Sequence, residues 1–414
     1  MFLNLWPEKA FLPLLSPFLF PAAFICNADQ EIGQANFLAR VIDFWRDLFY
    51  NGFINARLRK GGNMRSEDIA KLAGVSRSTV SRVINNYSNV PEETRAKVLK
   101  VIEQHQYEPN SFARALAGKK TDTIGLFAIS MNEKENATRI YQNNYFAPFV
   151  DAVVDTSNAR GCYVLIHTVY SPDDFLKVKQ AFLQKRIDGG IIVGTQKDID
   201  IVREMVNLEF PLVLIDYDIS EIMSEHLDRN HLAIVNSKDY EGTVEAIEYL
   251  ISLGHEEIGM ICGRMNTYSG RERYMAYEDT LMKHGLTLNE SLVLKGDFLK
   301  ETAYEEVTKL LASGAALPTA FFSANDDMAI SAMEAFSEYG ISVPEDISIA
   351  GFDDVQLASR IHPKLTSVRL PIYEMSKAAV EKVIELCDSR QPTFSTISFP
   401  ARLVQRDSCQ PPKI

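Results

Sequence analysis

Residues 69–85 read IAKLAGVSRSTVSRVIN. Ile69, Leu72 and Ala73 recur at helical spacing, and Val80, Val83 and Ile84 do so again beyond the tight turn Ala73-Gly74-Val75. Ser76 is the right residue type to cap the second helix, and the small Ala70 and Gly74 let the two helices approach closely. Two short amphipathic helices so joined are a helix-turn-helix. Arg77, Ser78, Ser81, Arg82 and Asn85 are left on the outer face, with Ser76 and Thr79 at the same approach. These side-chain types read base edges and phosphates in a major groove. The other reading, a solvated face on an ordinary helical hairpin, is weighed against the neighbouring sequence. A third helix is expected from Val90-Pro91-Glu92-Glu93, where proline suits the first turn and acids suit the positive helix end. It buries Val98, Leu99 and Ile102 and closes a three-helix domain near Tyr107.

Charge separates this segment from the rest. Residues 64–120 carry 10 Lys and Arg against 6 Asp and Glu, while residues 121–414 carry 27 against 44, in a chain of 414 residues with net charge −12. A basic module on an acidic body points to a polyanionic partner for the module alone. With 46% apolar residues the chain can bury at least two cores. Cys26, Cys162, Cys262, Cys387 and Cys409 show no paired spacing, which predicts reduced thiols and a cytoplasmic protein. No metal-ligand cluster, cofactor fingerprint or nucleophile motif is present, so no metal, cofactor or catalytic residue is expected and the chain reads as a non-enzyme.

Residues 1–63 form an apolar N-terminal extension. Its run 10–26 is interrupted by prolines, so a membrane-spanning helix is not expected. Lys60-Gly61-Gly62-Asn63-Met64 can be encoded as a purine-rich ribosome-binding sequence before a start codon, so Met64 is the expected start.

After Pro109 comes Asn110-Ser111-Phe112-Ala113-Arg114-Ala115-Leu116-Ala117-Gly118, with a capping Asn and a terminal Gly, too short to be a stable helix alone. Residues 69–85, the spacing to Tyr107-Glu108-Pro109-Asn110, and ARALAGKKTDTIGL at 113–126 together resemble the lactose-repressor (LacI/GalR) family of bacterial transcription factors, over about residues 65–409. The resemblance implies that 110–118 is a hinge helix ordered on operator DNA and that Leu116 wedges into the minor groove. An apolar wedge that kinks a base step is physically sound. Packing of Leu116 on the body is the other reading. The family also implies that Arg77 and Ser78 are the main base readers, that Arg82 contacts a base or phosphate, and that Asn110 lies at the DNA.

Beyond Thr123, short apolar strands alternate with amphipathic helices: 124–129, 163–166, 190–193, 212–215, 232–235, 258–262, 319–322 and 347–350. That order predicts parallel α/β sheets, and about 290 residues predict two of them. The family fold implied is a periplasmic-binding-protein-like core of two parallel-sheet lobes. The expected organisation is a helix-turn-helix domain at 64–109 and a hinge and linker at 110–123. One lobe is expected at 124–235 plus 368–392, the other at 236–367 plus 393–410.

Ligands of such sheets bind beyond the carboxyl ends of strands. Ser130, Asp216, Asn325 and Asp353 each follow a predicted strand. Carboxylates there accept sugar hydroxyls, or alternatively cap the next helix. The resemblance implies that Ser269-Gly270-Arg271-Glu272-Arg273 supplies an effector-binding Arg273, that Gly351-Phe352-Asp353-Asp354 supplies Asp353, and that Asn325-Asp326 supplies a further contact. It also places Phe298 where sugar-binding members stack an aromatic ring. For Phe146 and Phe298, core packing and ligand contact are both open. Gly194 stands where several sugar-responsive relatives carry a polar residue, so the effector is expected to be a sugar-like molecule or a nucleoside.

The expectation is therefore a homodimeric regulator, a repressor of a carbohydrate-utilisation operon. It binds palindromic double-stranded DNA, answers a small effector and has no membrane partner. A secreted sugar-binding protein is the rival reading, and it leaves the helix-turn-helix unexplained.

Overall fold

The computed structural model describes residues 64–107, 120–130, 144–195, 199–222 and 230–413. The expectations for residues 1–63, Asn110 and Leu116 lie outside these. The chain divides into two compact units, with the boundary at Pro109 and Asn110.

The first unit has three helices, α1 (Ser66–Ala73), α2 (Arg77–Ile84) and α3 (Glu92–Gln104). Local chemistry sets their ends. The Asp68 carboxylate accepts from Arg65 N at 2.9 Å at the start of α1, and Ser76 Oγ accepts from Thr79 N at 3.1 Å at the start of α2. Gly74 closes α1 at φ 65°, a left-handed conformation that glycine adopts without cost. A Cβ there would meet nothing within 4 Å, so Gly74 serves the turn and not close helix approach. Ile69, Ala70, Val80, Val83, Val90 and Val98 form the core. Each large side chain so buried contributes roughly 1.5–3 kcal/mol. Leu72 and Leu99, expected inside, are 54% and 48% exposed. Leu99 sits about 100° round the helix from Val98, and a core this small is covered by one narrow stripe per helix.

The second unit begins with β1 (Thr123–Ser130), α4 (Phe146–Ala159), β2 (Tyr163–Val169), α5 (Pro172–Leu183), β3 (Gly189–Thr195), α6 (Ile199–Asn207), β4 (Leu212–Ile215), α7 (Ile219–Ile222) and β5 (Leu232–Lys238). It continues with α8 (Asp239–Ser252), β6 (Ile258–Cys262), α9 (Tyr268–Lys283), β7 (Val293–Lys295), α10 (Lys300–Ala312), β8 (Ala320–Ser323), α11 (Asp326–Glu338), β9 (Ser348–Asp353) and β10 (Thr366–Arg369). It ends with α12 (Ile372–Asp388), β11 (Phe394–Pro400) and β12 (Arg402–Val404). Two six-stranded sheets result, ordered β11-β5-β4-β3-β1-β2 and β12-β10-β9-β8-β6-β7. Neighbours are parallel except β10 and β12. Each sheet reverses its winding beside its first strand, at β1/β3 and β6/β8, where such sheets open a crevice.

Strand β4 shows why its apolar run is unbroken. Leu212 and Leu214 join the core under α5 and α6, while Val213 and Ile215 join the one under α4 and α12. A strand covered on both faces has no polar side to alternate with. The strands run longer than the sequence reading at several ends, and β7, β10, β11 and β12 were not anticipated. Phe394–Pro400, expected in the second lobe, pairs with β5 in the first sheet, and the chain crosses over only at Ala401. This edge strand is half-buried and alternating, so it lacks the continuous apolar signal of the central ones. Among the described residues no helix is long and apolar enough to cross a membrane.

Candidate functional site

In the helical unit Ser76, Arg77, Ser78 and Arg82 are exposed at the first turns of α2 and along its outer face, while Thr79 and Asn85 are half-buried. Ser76 is occupied as the cap, and its Oγ also lies 2.7 Å from Ser78 Oγ and 2.9 Å from Thr79 Oγ1. Arg77 is not loose in solvent. Its Nε donates to Ser66 Oγ at 3.1 Å and its Nη1 lies 3.2 Å from Glu67 Oε1, both on α1. Arg95 of α3 holds the loop after α2, donating to Asn86 Oδ1 at 2.8 Å and to the Tyr87 carbonyl at 2.6 Å. The face thus presents polar and cationic groups on a rigid frame.

The second unit encloses a cleft of about 90 Å3 between its two sheets. It is lined by Phe146, Asp216, Arg273, Phe298, Asn325 and Asp353, six of the residues singled out from sequence. Of the seventh, Ser130, only the backbone position at the end of β1 is described. Asp239, Ser237, Ser269 and Tyr145 also line it and were not singled out as contacts.

Arg273 organises the floor. It is 4% exposed on α9, and its Nε and Nη2 each lie 2.8 Å from Asp239 Oδ2. Its Nη1 donates to the Ala324 carbonyl and lies 3.6 Å from Asp353 Oδ1. The guanidinium stacks 3.7 Å above the Phe352 ring and 5.6 Å from that of Phe298, a favourable cation–π arrangement. Burial works against the Arg273 charge, but Asp239, Asp353 and Asp216 outweigh it and raise its pKa further. Ser237 Oγ donates to Asp239 from the opposite side.

Asp216 does not cap the helix that follows it. Its carboxylate accepts from Ser269 N and Ser269 Oγ, both at 2.9 Å, and so receives the first turn of α9 from the other lobe. Its own backbone is left-handed at φ 67°. The Asn236 side chain holds that turn, accepting from Asp216 N at 3.0 Å and donating to the Tyr217 carbonyl at 2.9 Å. Burial, with Asp239 second, pushes the Asp216 carboxyl up to about 7. Arg271 adds a second bridge between the lobes, 2.7 Å from Glu221 Oε1, and Asn144 adds a third, 2.6 Å from Asp327 Oδ1.

Asn325 caps the next helix and also faces the cleft: its Oδ1 accepts from Met328 N at 2.9 Å at the start of α11, and its side chain is part of the lining. Phe146 likewise packs in the first-lobe core and faces the cleft. Gly194, at φ 109°, explains its departure from a polar residue. A Cβ there would overlap the Ile129 carbonyl and press the Phe146 ring. Asp353 is turned inward at φ 108°, a conformation that costs on the order of 1–3 kcal/mol. The next residue anchors it: Asp354 is gripped by Arg369 at 2.6 Å and Arg406 at 2.5 Å. Burial raises the Asp353 carboxyl well above its usual range despite Arg273.

Beneath Asp353, Asp326 is fully buried and accepts from Ser367 Oγ at 2.6 Å and Val355 N at 2.8 Å. Burial pushes its carboxyl up to about 8, from 3.8. Between those values the folded chain holds a proton that the unfolded chain has released, so this group's contribution to stability falls as pH rises through the window. Asp326→Asn removes the titration. Unfolding curves at about pH 5, 6.5 and 8 should therefore show the natural chain losing stability relative to the variant as pH rises. Parallel curves would mean that Asp326 is ionised throughout.

Asp239 follows a strand, as the chosen residues do, but the strand was expected to stop at Val235, three residues short of its end. Asn236 is in fact 6% exposed. Among the described residues no group of three His, Cys, Asp or Glu side chains could hold a metal ion.

Residues 67–110 match the family described as bacterial regulatory proteins, lacI family, and residues 247–409 match the periplasmic binding protein-like domain. The chain is 31% identical over 343 residues to the HTH-type transcriptional regulator AscG of Escherichia coli (strain K12), covering 82% of this chain and 97% of that one. Among solved structures it is similar to the lac repressor dimer bound to operator and the anti-inducer ONPF, with TM-score 0.68, 26% identity, and coverage of 84% and 99%. It is also similar to a transcriptional regulator CelR–cellobiose complex, with TM-score 0.62, 26% identity, and coverage of 83% and 99%.

Proposed function

The chain belongs to the lacI family of bacterial regulatory proteins, and from that membership we propose that it is a sequence-specific transcriptional repressor of a carbohydrate-utilisation operon, released or retained on DNA by a small polyhydroxylated effector in the cleft. The observation that carries this reading is the joining, in one chain, of an exposed helix bearing Arg77, Ser78 and Arg82 to a cleft bearing Arg273, Asp353 and Phe298. Residues 64–109 form the DNA-binding domain and 110–123 the hinge, with Asn110 and Leu116 at the DNA. The protein acts as a cytoplasmic homodimer, which sets two reading helices on one palindrome. Ser76, Thr79 and Asn85 support Arg77, Ser78 and Arg82 there, and Ser130, Phe146, Asp216 and Asn325 complete the effector contacts.

Effector and operator meet through the lobes. Ligand in the cleft bears on the bridges Asp216–Ser269 and Arg271–Glu221, and its differential affinity for two lobe arrangements is what shifts operator affinity. The coupling is reciprocal and on the order of 1–3 kcal/mol. Fluorescence anisotropy of a labelled palindromic duplex from the gene's neighbourhood, with and without a sugar panel, tests the reading. Tight, salt-dependent binding that one sugar changes is the expected result. Absence of any DNA binding, with a sugar still bound, would replace the repressor by a sugar-binding protein.

The contact between Arg77 and Glu67 adds a smaller expectation. DNA must displace Glu67 from the guanidinium, and an exposed pair of this kind is worth at most about 1 kcal/mol. Glu67→Gln should therefore tighten operator binding by about two- to five-fold in the same assay. Weaker binding would instead make Glu67 a residue that aims Arg77.

A further inference from the structure

The chain enters the effector-binding unit through a clamp of two carboxylates. Thr121 N donates to both oxygens of Asp188, at 2.8 and 3.0 Å, and Asp122 N donates to Asp188 Oδ2 at 2.8 Å. The Asp188 backbone N donates in turn to the Thr123 carbonyl at 2.9 Å, and Tyr163 N to the Asp122 carbonyl at 2.8 Å. One residue earlier, Lys120 Nζ pairs with the carboxylate of Asp388, the last residue of α12. Asp122 is left-handed at φ 54°, so the chain bends where it is gripped. The pairing of β1 with β2 starts only at Thr123, and that with β3 at Ile124. Residues 120–122 therefore lie outside the ladder, and it is the two carboxylates that fix them.

The order of the chain puts this clamp at the root of the linker. The hinge segment 110–118 is followed by a single residue, Lys119, before the clamp begins. The clamp is also remote from the cleft. Gly194 on β3 and Met375 on α12 line the cleft, each about 20 Å along its element from Asp188 or Asp388.

We propose that Asp188, seconded by the Lys120–Asp388 pair, is a positioning residue for DNA recognition: it fixes the root of each linker in the homodimer and so sets the half-site spacing that the repressor accepts. The inference rests on the repressor reading above and adds to it a determinant of operator choice. Two reading helices on one palindrome must meet half-sites at a set separation. A fixed root confines each helix to a narrow range of positions, whereas a root free to swing lets it reach neighbouring spacings.

The test is fluorescence anisotropy of the full chain on a labelled palindromic duplex from the gene's neighbourhood, and on versions with one or two base pairs added or removed at its centre. The natural chain should favour one spacing. Asp188→Ala should shrink that preference by about ten-fold, the scale of losing a hydrogen bond to a charged group, and should leave the salt slope unchanged. Loss of a DNA contact would instead weaken all spacings alike, and damage to the fold would lower the melting temperature without reordering them. Either result, with the spacing preference intact, overturns the proposal. Should Asp188→Ala fail to fold, Lys120→Ala and Asp388→Ala decide, since those side chains are 42% and 65% exposed and an exposed pair adds little to the fold. Each should shrink the preference by about two- to five-fold, and an unchanged preference in both overturns the proposal. A natural chain indifferent to spacing overturns it too. Failure to bind any of the duplexes overturns the repressor reading itself, a separate outcome because the natural chain then fails as well.

Discussion

Arg273→Ala is expected to abolish effector binding and to destabilise the effector-binding unit in the same stroke. The side chain is 4% exposed and, among the described residues, is the cation paired with Asp239 and Asp353. Its loss leaves two buried carboxylates without their cation, a change that costs about 3–5 kcal/mol where buried pairs have been broken. It also removes the cation that stacks on Phe352 and Phe298 and opens a void beside them. For a unit of this size the unfolding midpoint should fall by roughly 10 °C. Calorimetric titration at a temperature where the variant is folded should show no heat of binding, while operator affinity of the unliganded chain is retained. A surviving binding signal would remove Arg273 from the ligand contacts. Arg273→Lys separates the two effects, because lysine restores the charge but not the planar fork. It should recover part of the stability and little of the binding.

Arg77→Ala carries the second large effect, and it should be confined to DNA. The residue is 67% exposed at the side chain, and its partners Ser66 and Glu67 lie on the surface, so thermal stability should change little. A bidentate arginine contact to a base is worth about 1–3 kcal/mol of discrimination. Titrations against an operator and its single-base-pair variants should show weaker binding to the operator and a flattened preference at one position of each half-site. Uniform weakening across all variants, with a reduced salt slope, would place Arg77 on a phosphate instead.

The two sites were legible to different depths. For the helix-turn-helix, capping by Ser76, the left-handed Gly74 and the spacing of Ile69, Val80 and Val83 are all written within a few residues of where they act. The errors there, Leu72 and Leu99, arose because periodicity names an apolar stripe without saying how wide the neighbouring helices make it. For the cleft, looking just beyond strand ends picked out Asp216, Asn325 and Asp353, all of which line it, from residue type and position alone. It missed Asp239, because the polar end of β5, Asn236-Ser237-Lys238, lacks the apolar signature of a strand.

Pairing was beyond the reach of sequence. Asp216, for which capping its own helix was the alternative to ligand contact, instead accepts α9, 53 residues away. Asp354, to which no role was assigned from sequence, anchors Asp353 through Arg369 and Arg406. Phe394–Pro400 looked like part of the second lobe and completes the first sheet. The amino-acid order determined the helices, their caps, the apolar strands and the residue types at strand ends, because those depend on forces acting over one turn or one strand. Which carboxylate meets which guanidinium was settled only when two sheets brought distant strand ends together around buried groups, where each charge must find its partner.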